Sequence, residues 1–132
     1  MNSSGSNMEL YKAVLMIAYS EQVQTDLSML KWQVVNLEIC DNNNEKVLYI
    51  NNPYLRWIVR TKNITSIERL CSDVGDVIRL RLKGNRFILL YSSPTILMKV
   101  AEILSRETSL IISNVLSENE LLGKVGGVRE HE

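Results

Sequence analysis

The sequence predicts a mainly β fold (α+β) in which about seven antiparallel strands form a barrel closed by one C-terminal amphipathic helix. Three observations carry this prediction. The middle of the chain alternates short β-branched and aromatic runs with turn residues. Alternation of apolar and charged residues is clearest over Val77–Lys83, and a helical period replaces it after Ser93. At 132 residues, 45% hydrophobic and 23% charged, the chain has the size and composition of one globular domain.

The strands are predicted from runs bounded by turn residues. Leu10–Tyr19 is apolar almost throughout, so its own pattern fits a buried strand or a buried helix, and its neighbours favour a strand. Asp41–Asn44 marks a turn, because Asn and Asp tolerate left-handed backbone. The remaining predicted strands are Lys31–Cys40, Lys46–Ile50, Arg56–Arg60, Ile64–Cys71, Val77–Lys83 and Arg86–Tyr91.

The last two runs form the clearest hairpin. Gly84 and Asn85 between them predict a two-residue loop of type II′. A register slip of one residue would turn every side chain to the other face, so the alternation assigns the faces. The residues expected to face the core are Ile78, Leu80, Leu82, Phe87 and Leu89. The residues expected to face solvent are Arg79, Arg81 and Lys83.

A helix is predicted from Ser93 onwards. Ser93 suits the N-cap and Pro94 the first helical position. The apolar residues recur at helical spacing: Ile96, Leu97, Val100, Ile103 and Leu104. Helical character is expected to continue beyond them through four aliphatic residues that also form a candidate interface: Leu110, Ile111, Val115 and Leu116. These residues either cover a partner or a second copy of the chain, or pack back on the domain.

The chain is expected to be one domain over residues 8–122, with a flexible leader at 1–7 and a flexible tail at 123–132. The longest apolar run, Ala13–Tyr19, is too short to span a bilayer and follows no basic segment. We therefore expect an intracellular protein, cytoplasmic or nuclear.

The residue inventory argues against an enzyme. The single histidine, His131, falls in the expected tail, and no GxGxxG or P-loop motif is present. Cys40 and Cys71 form no CxxC motif, which favours two reduced thiols over a zinc site. No cofactor and no metal are therefore expected.

Basic residues form one candidate binding patch. Fifteen basic and fifteen acidic residues leave no net charge, so any attraction to anions depends on a local cluster. The candidate cluster is Arg60, Lys62, Arg79, Arg81, Lys83 and Arg86, which Arg69 could join. Its arginines suit carboxylate or phosphate, whereas a solvated strand face explains the same pattern without any ligand. Nucleic acid is the less favoured ligand, because the aromatic residues do not follow an RNA-binding spacing.

The order of elements resembles the pleckstrin-homology-like superfold, which includes the PH, GRAM, EVH1 and PTB domains. The resemblance covers Lys31–Leu104: a strand led by KW, then VLYINNP, then ITSIERL, then VIRLRLKGNRFILLYSSP leading into the helix. The predicted helix lacks the tryptophan usual in PH domains. The first strand–strand loop, Ser20–Asp26, holds two acids and no base, so the resemblance implies no inositol-phosphate site there.

The resemblance implies a non-enzymatic protein-interaction or scaffold domain, as part of a larger assembly. By similarity to PTB-like domains, a partner peptide would lie as an added strand between the fifth strand and the closing helix. The residues expected at that groove are Thr65, Ile67 and Arg69. The alternative is a module that binds phospholipid or nucleic acid through the arginine-rich hairpin, with any phosphoinositide held away from the first loop.

Overall fold

The computed structural model describes residues 7–20, 30–72 and 75–114. The strands in this part of the chain are β1 (Asn7–Ser20), β2 (Gln33–Asn42), β3 (Glu45–Asn52), β4 (Leu55–Arg60), β5 (Ile64–Ser72), β6 (Gly75–Leu82), β7 (Arg86–Tyr91) and β8 (Ile112–Asn114). A 3₁₀ turn (Thr61–Asn63) links β4 to β5, and helix α1 (Pro94–Thr108) lies between β7 and β8. The predicted order of seven strands and one helix is confirmed.

All the strands belong to one sheet in the order β4-β3-β2-β1-β7-β6-β5-β8. The long strand β1 joins the two halves of the sheet, because its first part pairs with β2 and its last five residues pair with β7. Neighbouring strands are antiparallel except β8, which runs parallel to β5. Within the described residues the sheet stays open, with β4 and β8 as its edges, and does not close into a barrel.

The main core lies between the inner face of this sheet and α1. The helix buries Leu97, Val100, Ala101, Ile103 and Leu104, each at most 4% exposed. These side chains join core residues from both halves of the sheet: Leu15, Ile17, Leu37, Ile39, Leu48, Ile50, Ile67, Ile78, Leu80, Ile88 and Leu90. The helical spacing of the apolar residues in the sequence therefore identified the face that closes the core.

The two ends of α1 follow from local chemistry. Ser93 is the N-cap, and its hydroxyl accepts a hydrogen bond from the Ile96 N–H at 3.4 Å. At the other end Ser109 adopts a left-handed conformation with φ 63°, so the helix stops at Thr108. The prediction that helix continues through Leu110 and Ile111 is wrong, because the chain turns into the short strand β8. Val115 and Leu116 lie outside the described residues.

The β6–β7 hairpin is present, but its loop holds three residues, Lys83–Asn85, because Leu82 pairs with Arg86. Gly84 and Asn85 both have positive φ (87° and 61°), whereas a II′ turn needs it only at the first central residue. The additional loop residue shifts the register by one position. Ile88 therefore faces Leu80, and the prediction that Phe87 and Leu89 face the main core is wrong.

Phe87 and Leu89 instead lie on the outer face of the sheet, in a second apolar cluster. Its buried members are Ala18, Leu70, Val77 and Leu89, and partly buried residues pack around them: Leu30, Trp32, Phe87 and Tyr91. Trp32 and Tyr91 contact each other with ring centroids 6.1 Å apart. This cluster covers part of the face that alternation assigned to solvent.

Arg79 lies on the same outer face and is only 2% exposed, so the prediction that it faces solvent is wrong. Its guanidinium pairs with the Glu68 carboxylate and lies 5.0 Å from the centroid of the Phe87 ring. Arg81, two residues further on, is half-buried, and Lys83 is exposed as predicted. An arginine can be buried at position 79 because the Glu68 carboxylate pairs with its charge.

Replacing Gly75 with alanine is expected to lower the free energy of unfolding by more than the same change at Gly84. Both glycines have positive φ (117° and 87°), so both variants carry backbone strain of about 1–2 kcal/mol. Only at Gly75 would the new Cβ also lie 2.7 Å from Tyr91 Cε1; at Gly84 the nearest atom is 3.7 Å away. Urea denaturation of both variants measures the difference, and equal losses would contradict the predicted clash.

Candidate interaction surface

The predicted peptide groove lies beside β5, and its edge is already occupied. β8 pairs in parallel with β5, placing Ile112 against Ile67 and Asn114 against Arg69. Ile67 is fully buried in the main core, and exposed Thr65 donates its hydroxyl hydrogen bond to the Arg81 carbonyl at 3.2 Å. A partner strand would therefore reach the predicted groove only if β8 moved away from it.

The residues that lead into β8 belong partly to the core. Leu110 and Ile112 pack against the main cluster, and Ile111 between them is 84% exposed. Of the four residues predicted as an interface, Leu110 thus contributes to intramolecular packing and Ile111 faces outward. The other two lie outside the described residues, so the choice between an interface and core packing stays a prediction for them.

More than half of the predicted basic patch is engaged in ion pairs with acidic neighbours. Arg79 pairs with Glu68, and Arg69 Nη2 lies 2.9 Å from Asp76 Oδ2. Arg60 Nε and Lys62 Nζ share Glu45 Oε2, at 3.4 Å and 3.8 Å. Four of the seven candidate cations are therefore held in ion pairs, which weakens the attraction of the group for an external anion.

The other three candidate cations surround the β6–β7 hairpin. The Arg81 guanidinium carbon lies 5.1 Å from the Phe87 ring centroid, in a cation–π contact. Lys83 is exposed at the hairpin loop. Arg86 donates from Nε to the Lys83 carbonyl at 3.3 Å, and its side chain lines a cavity. Arg86 thus belongs to a different surface from Arg79.

That cavity, which we call the Tyr19–Trp57 cavity, has a volume of about 420 Å³. Its lining residues are Ile17, Ala18, Tyr19, Gln33, Leu55, Trp57 and Arg86. The Tyr19 and Trp57 rings meet edge to face, with centroids 5.0 Å apart and an interplanar angle of 77°. Apolar walls with one arginine and one amide at the rim are typical of sites that bind a side chain or small ligand.

Turn chemistry fixes the rim of this cavity. Asn52 donates its side-chain amide to the Val34 carbonyl at 3.0 Å and to Gln33 Oε1 at 3.3 Å. Its own Oδ1 accepts the Tyr54 N–H at 2.8 Å, a local bond that Asn forms readily in turns. The β3–β4 turn is thereby tied to β2, and β4 begins at Leu55 with its side chain on the cavity wall.

Strand β4 is also an open edge of the sheet. It pairs with β3 on one side, and no described residue pairs with its other side. Arg56 and Ile58 point away from the core and are exposed, Ile58 to 55%. Trp57 is half-buried and Val59 is buried on the opposite face. An unpaired strand edge offers backbone N–H and C=O groups to an added strand.

A second cavity of about 500 Å³ lies on the outer face of β1, near the start of α1. It is lined by Val14, Met16, Val34, Tyr91 and Pro94, among others. Val14 and Val34 are 57% and 58% exposed. The strands that line this cavity, β1, β2, β6 and β7, each have a paired neighbour on both sides, whereas β4 beside the Tyr19–Trp57 cavity has a described neighbour on one side only.

The described residues contain no group of three or more His, Cys, Asp or Glu side chains placed to hold a metal ion. Burial, assisted by the neighbouring Glu38 and Glu9 carboxylates, raises the pKa of the Cys40 thiol. A raised pKa keeps this thiol protonated at neutral pH and therefore poorly nucleophilic. None of the helices in the described ranges is long and apolar enough to cross a membrane.

The Tyr19–Trp57 cavity was not identified from the sequence. Trp57 is half-buried at its wall, whereas Tyr54 is 93% exposed at the β3–β4 turn. The sequence does indicate the exposed face of β4. In the run RWIVR, the arginines at both ends and the isoleucine at the centre lie on one strand face. The identity of the edge strand, however, depends on pairing that the sequence does not reveal.

No family model matches this chain. A curated protein, the pyruvate kinase of Buchnera aphidicola subsp. Baizongia pistaciae, is 29% identical over 130 residues. The match covers 95% of this chain but only 27% of that enzyme. The chain thus spans about a quarter of the length of this curated relative.

Solved structures share the fold at low sequence identity. The PH domain of USP37 superimposes with a TM-score of 0.56 at 16% identity, covering 74% of this chain and 96% of that one. The Spt16D–Pob3N heterodimer gives 0.56 at 10% identity, over 84% and 58%. The hSac2 domain of the human phosphoinositide phosphatase Sac2 gives 0.51 at 14%, over 86% and 80%. The chain has a PH-like fold, as the order of its elements predicted.

Proposed function

We propose that this chain is a non-enzymatic protein-interaction domain, part of a larger assembly, that holds an extended partner segment along β4. The observation that carries the proposal is the joint position of an open strand edge and an aromatic cavity. Leu55 and Trp57 belong to the edge strand and also line the Tyr19–Trp57 cavity. One added strand would therefore meet both features at once.

The two features supply different parts of the recognition. Main-chain hydrogen bonds to the edge strand give affinity with little regard to sequence, and a pocket for a side chain gives specificity. The cavity volume of about 420 Å³ lies within the range of about 300–1,000 Å³ typical of ligand sites. Trp, Tyr and Arg, all present at the cavity, are the residues most enriched among strong contributors to protein interfaces.

The other surfaces support binding less well. The β5 edge carries β8 and must be cleared before another strand can add. Binding of phospholipid or nucleic acid through the arginine-rich hairpin, the alternative function, would depend on Arg81, Lys83 and Arg86 without Arg79. Arg79 is buried with Glu68, and the chain as a whole has no net charge to attract a polyanion.

Selection from a random peptide display library tests this proposal. We expect peptides selected on the wild-type chain to bind Trp57→Leu at least about tenfold more weakly, a loss of about 1.4 kcal/mol. Leucine keeps an apolar side chain against the core but removes the aromatic wall of the cavity. Ile111→Ala is the matched control, because Ile111 is 84% exposed and does not line the cavity.

Thermal melts establish that both variants are folded before affinities are compared. Selected peptides that bind the wild type and Trp57→Leu equally, but lose affinity for a variant elsewhere, would contradict the proposed docking surface. Failure to select any peptide that binds the folded wild-type chain would contradict the proposed function itself.

A further inference from the structure

We infer that the partner segment is an acidic strand with the pattern acid-x-aliphatic-x-acid, in which the two carboxylates face Arg56 and Arg60 and the aliphatic residue faces Ile58. This inference rests on the proposed function, because it names the partner chemistry that the open edge of β4 selects. It is carried by the alternation of Arg56, Ile58 and Arg60 on one face of the edge strand.

Strand geometry sets the spacing of the motif. Residues that face each other across an antiparallel pair lie about 4.5–5.5 Å apart at Cβ, and alternate residues point to the same face. A partner residue opposite Ile58 therefore has its second neighbours on either side opposite Arg56 and Arg60. Because the motif is symmetric, it satisfies the same three contacts with the partner strand in either direction.

The positively charged side chains on and beside β4 are not fully paired with acidic neighbours, so they can bind the two partner carboxylates. Arg56 is exposed and has no ion pair among the described residues. Arg60, 56% exposed, shares the Glu45 carboxylate with Lys62. Arg56, Arg60 and Lys62 thus stand against the single carboxylate of Glu45. Glu107 lines the same pocket as Glu45 and Lys62 but is paired with Lys46. Glu38, the next acid along the Ile58 row, lies two strands away beyond Tyr49, and its carboxylate is 3.9 Å from Lys12 Nζ.

A second copy of the chain fits this edge less well than an acidic strand. In a two-fold antiparallel pairing centred on Ile58, Arg56 of one copy would face Arg60 of the other, and like charges directly opposite are unfavourable. A pairing centred on Trp57 would place Arg56 against Ile58 and leave both arginines without a countercharge. Neither register supplies the carboxylates that the exposed guanidinium groups can bind.

Two synthetic peptides test the inference directly. One has the sequence Ser-Gly-Glu-Val-Ile-Val-Glu-Gly-Ser, and the other carries Lys in place of both Glu residues. We expect the full chain to bind the acidic peptide at least about tenfold more tightly than the basic one, with affinity falling as salt rises. Arg56→Glu should weaken the acidic peptide at least about tenfold and reduce the discrimination between the two.

Lys99→Glu is the matched control for that charge change, because Lys99 is exposed on α1, has no ion pair among the described residues and does not belong to β4. Acidic peptides N-methylated on one set of alternate amides can keep binding by adding in the opposite direction, whereas peptides methylated on both sets should lose it. Strand addition requires this loss, since in either direction one set of peptide N–H groups faces the edge. Undiminished binding of the peptide methylated on both sets would overturn the inference.

The outcomes separate this inference from the function on which it rests. One possible result is that the selected peptides need Trp57 but contain no acidic residues, and that the chain binds the acidic and basic synthetic peptides equally well. This result would overturn the inference and leave the proposed function intact. Binding of the acidic peptide that is unchanged by Arg56→Glu but weakened by Lys99→Glu would also overturn it. So would sedimentation showing a dimer of the wild-type chain that Arg56→Glu dissociates, because the occupant would then be a second copy.

Discussion

Truncation of Arg79 to alanine is expected to lower the free energy of unfolding by about 3 kcal/mol, whereas Arg81→Ala should cost less than about 1 kcal/mol. Both arginines lie on the same face of β6, two residues apart, and both contact Phe87. Only Arg79 is buried, at 2% exposure, and its loss leaves the Glu68 carboxylate without its partner. Breaking a buried ion pair typically costs about 3–5 kcal/mol, and the 17% exposure of Glu68 favours the lower end.

A double variant separates the charge from the packing. Glu68→Leu combined with Arg79→Met removes both charges and keeps apolar volume on the outer face, so we expect a stability close to that of the wild type. Urea denaturation of the single and double variants completes the cycle. Equal small losses for Arg79→Ala and Arg81→Ala would mean that Arg79 is solvated and that the outer cluster does not cover it.

The inner face of the sheet was predictable because one strand face must be apolar along its whole length. Ile78, Leu80 and Leu82 alternate with polar residues, and all three are buried in the main core. The faces of the return strand, β7, were not predictable in the same way. Five of the six residues of RFILLY are apolar, so no alternation of apolar and polar residues indicates which side chains point inward. A two-residue loop would have placed Phe87 and Leu89 inward; the three-residue loop places Ile88 and Leu90 there.

The outer face shows why charge alternation does not establish exposure. The run from Arg79 to Lys83 looks like a solvated strand face, yet its first member is buried. Arg79 contacts Glu68 on β5 and Phe87 on β7. Phe87 belongs to the outer cluster together with Leu30 and Trp32, which come from a distant part of the sequence. The local sequence pattern contains no information about a long-range contact of this kind.

The interaction surface depends on long-range pairing in the same way. The element order correctly indicated a PH-like fold, and similarity to PTB-like domains pointed to the β5 edge. The three-residue strand β8 takes that edge, and its residues Ile112–Asn114 follow a serine whose left-handed backbone ends the helix. With β5 covered, β4 remains as the other edge, and the sequence shows the alternation of Arg56, Ile58 and Arg60 without revealing that the strand is unpaired.

Replacement of Leu80 by alanine is expected to destabilise the protein by about 2–5 kcal/mol, because Leu80 is fully buried between Ile67 and Ile88 on the neighbouring strands. Leu80→Met keeps the volume and should cost less than about 1.5 kcal/mol.

Ile58→Ala gives the surface comparison, since Ile58 is 55% exposed on the edge strand and its truncation should cost much less than that of Leu80. Chemical denaturation with a common m-value compares the three variants. If Leu80→Ala and Ile58→Ala lose similar stability, β6 does not bury the face that contains Leu80. If Leu80→Met is as damaging as Leu80→Ala, the loss does not arise from a cavity. A large loss for Leu80→Ala alone supports the inner face of the sheet as the centre of the core and leaves Ile58 free to vary in tests of partner binding.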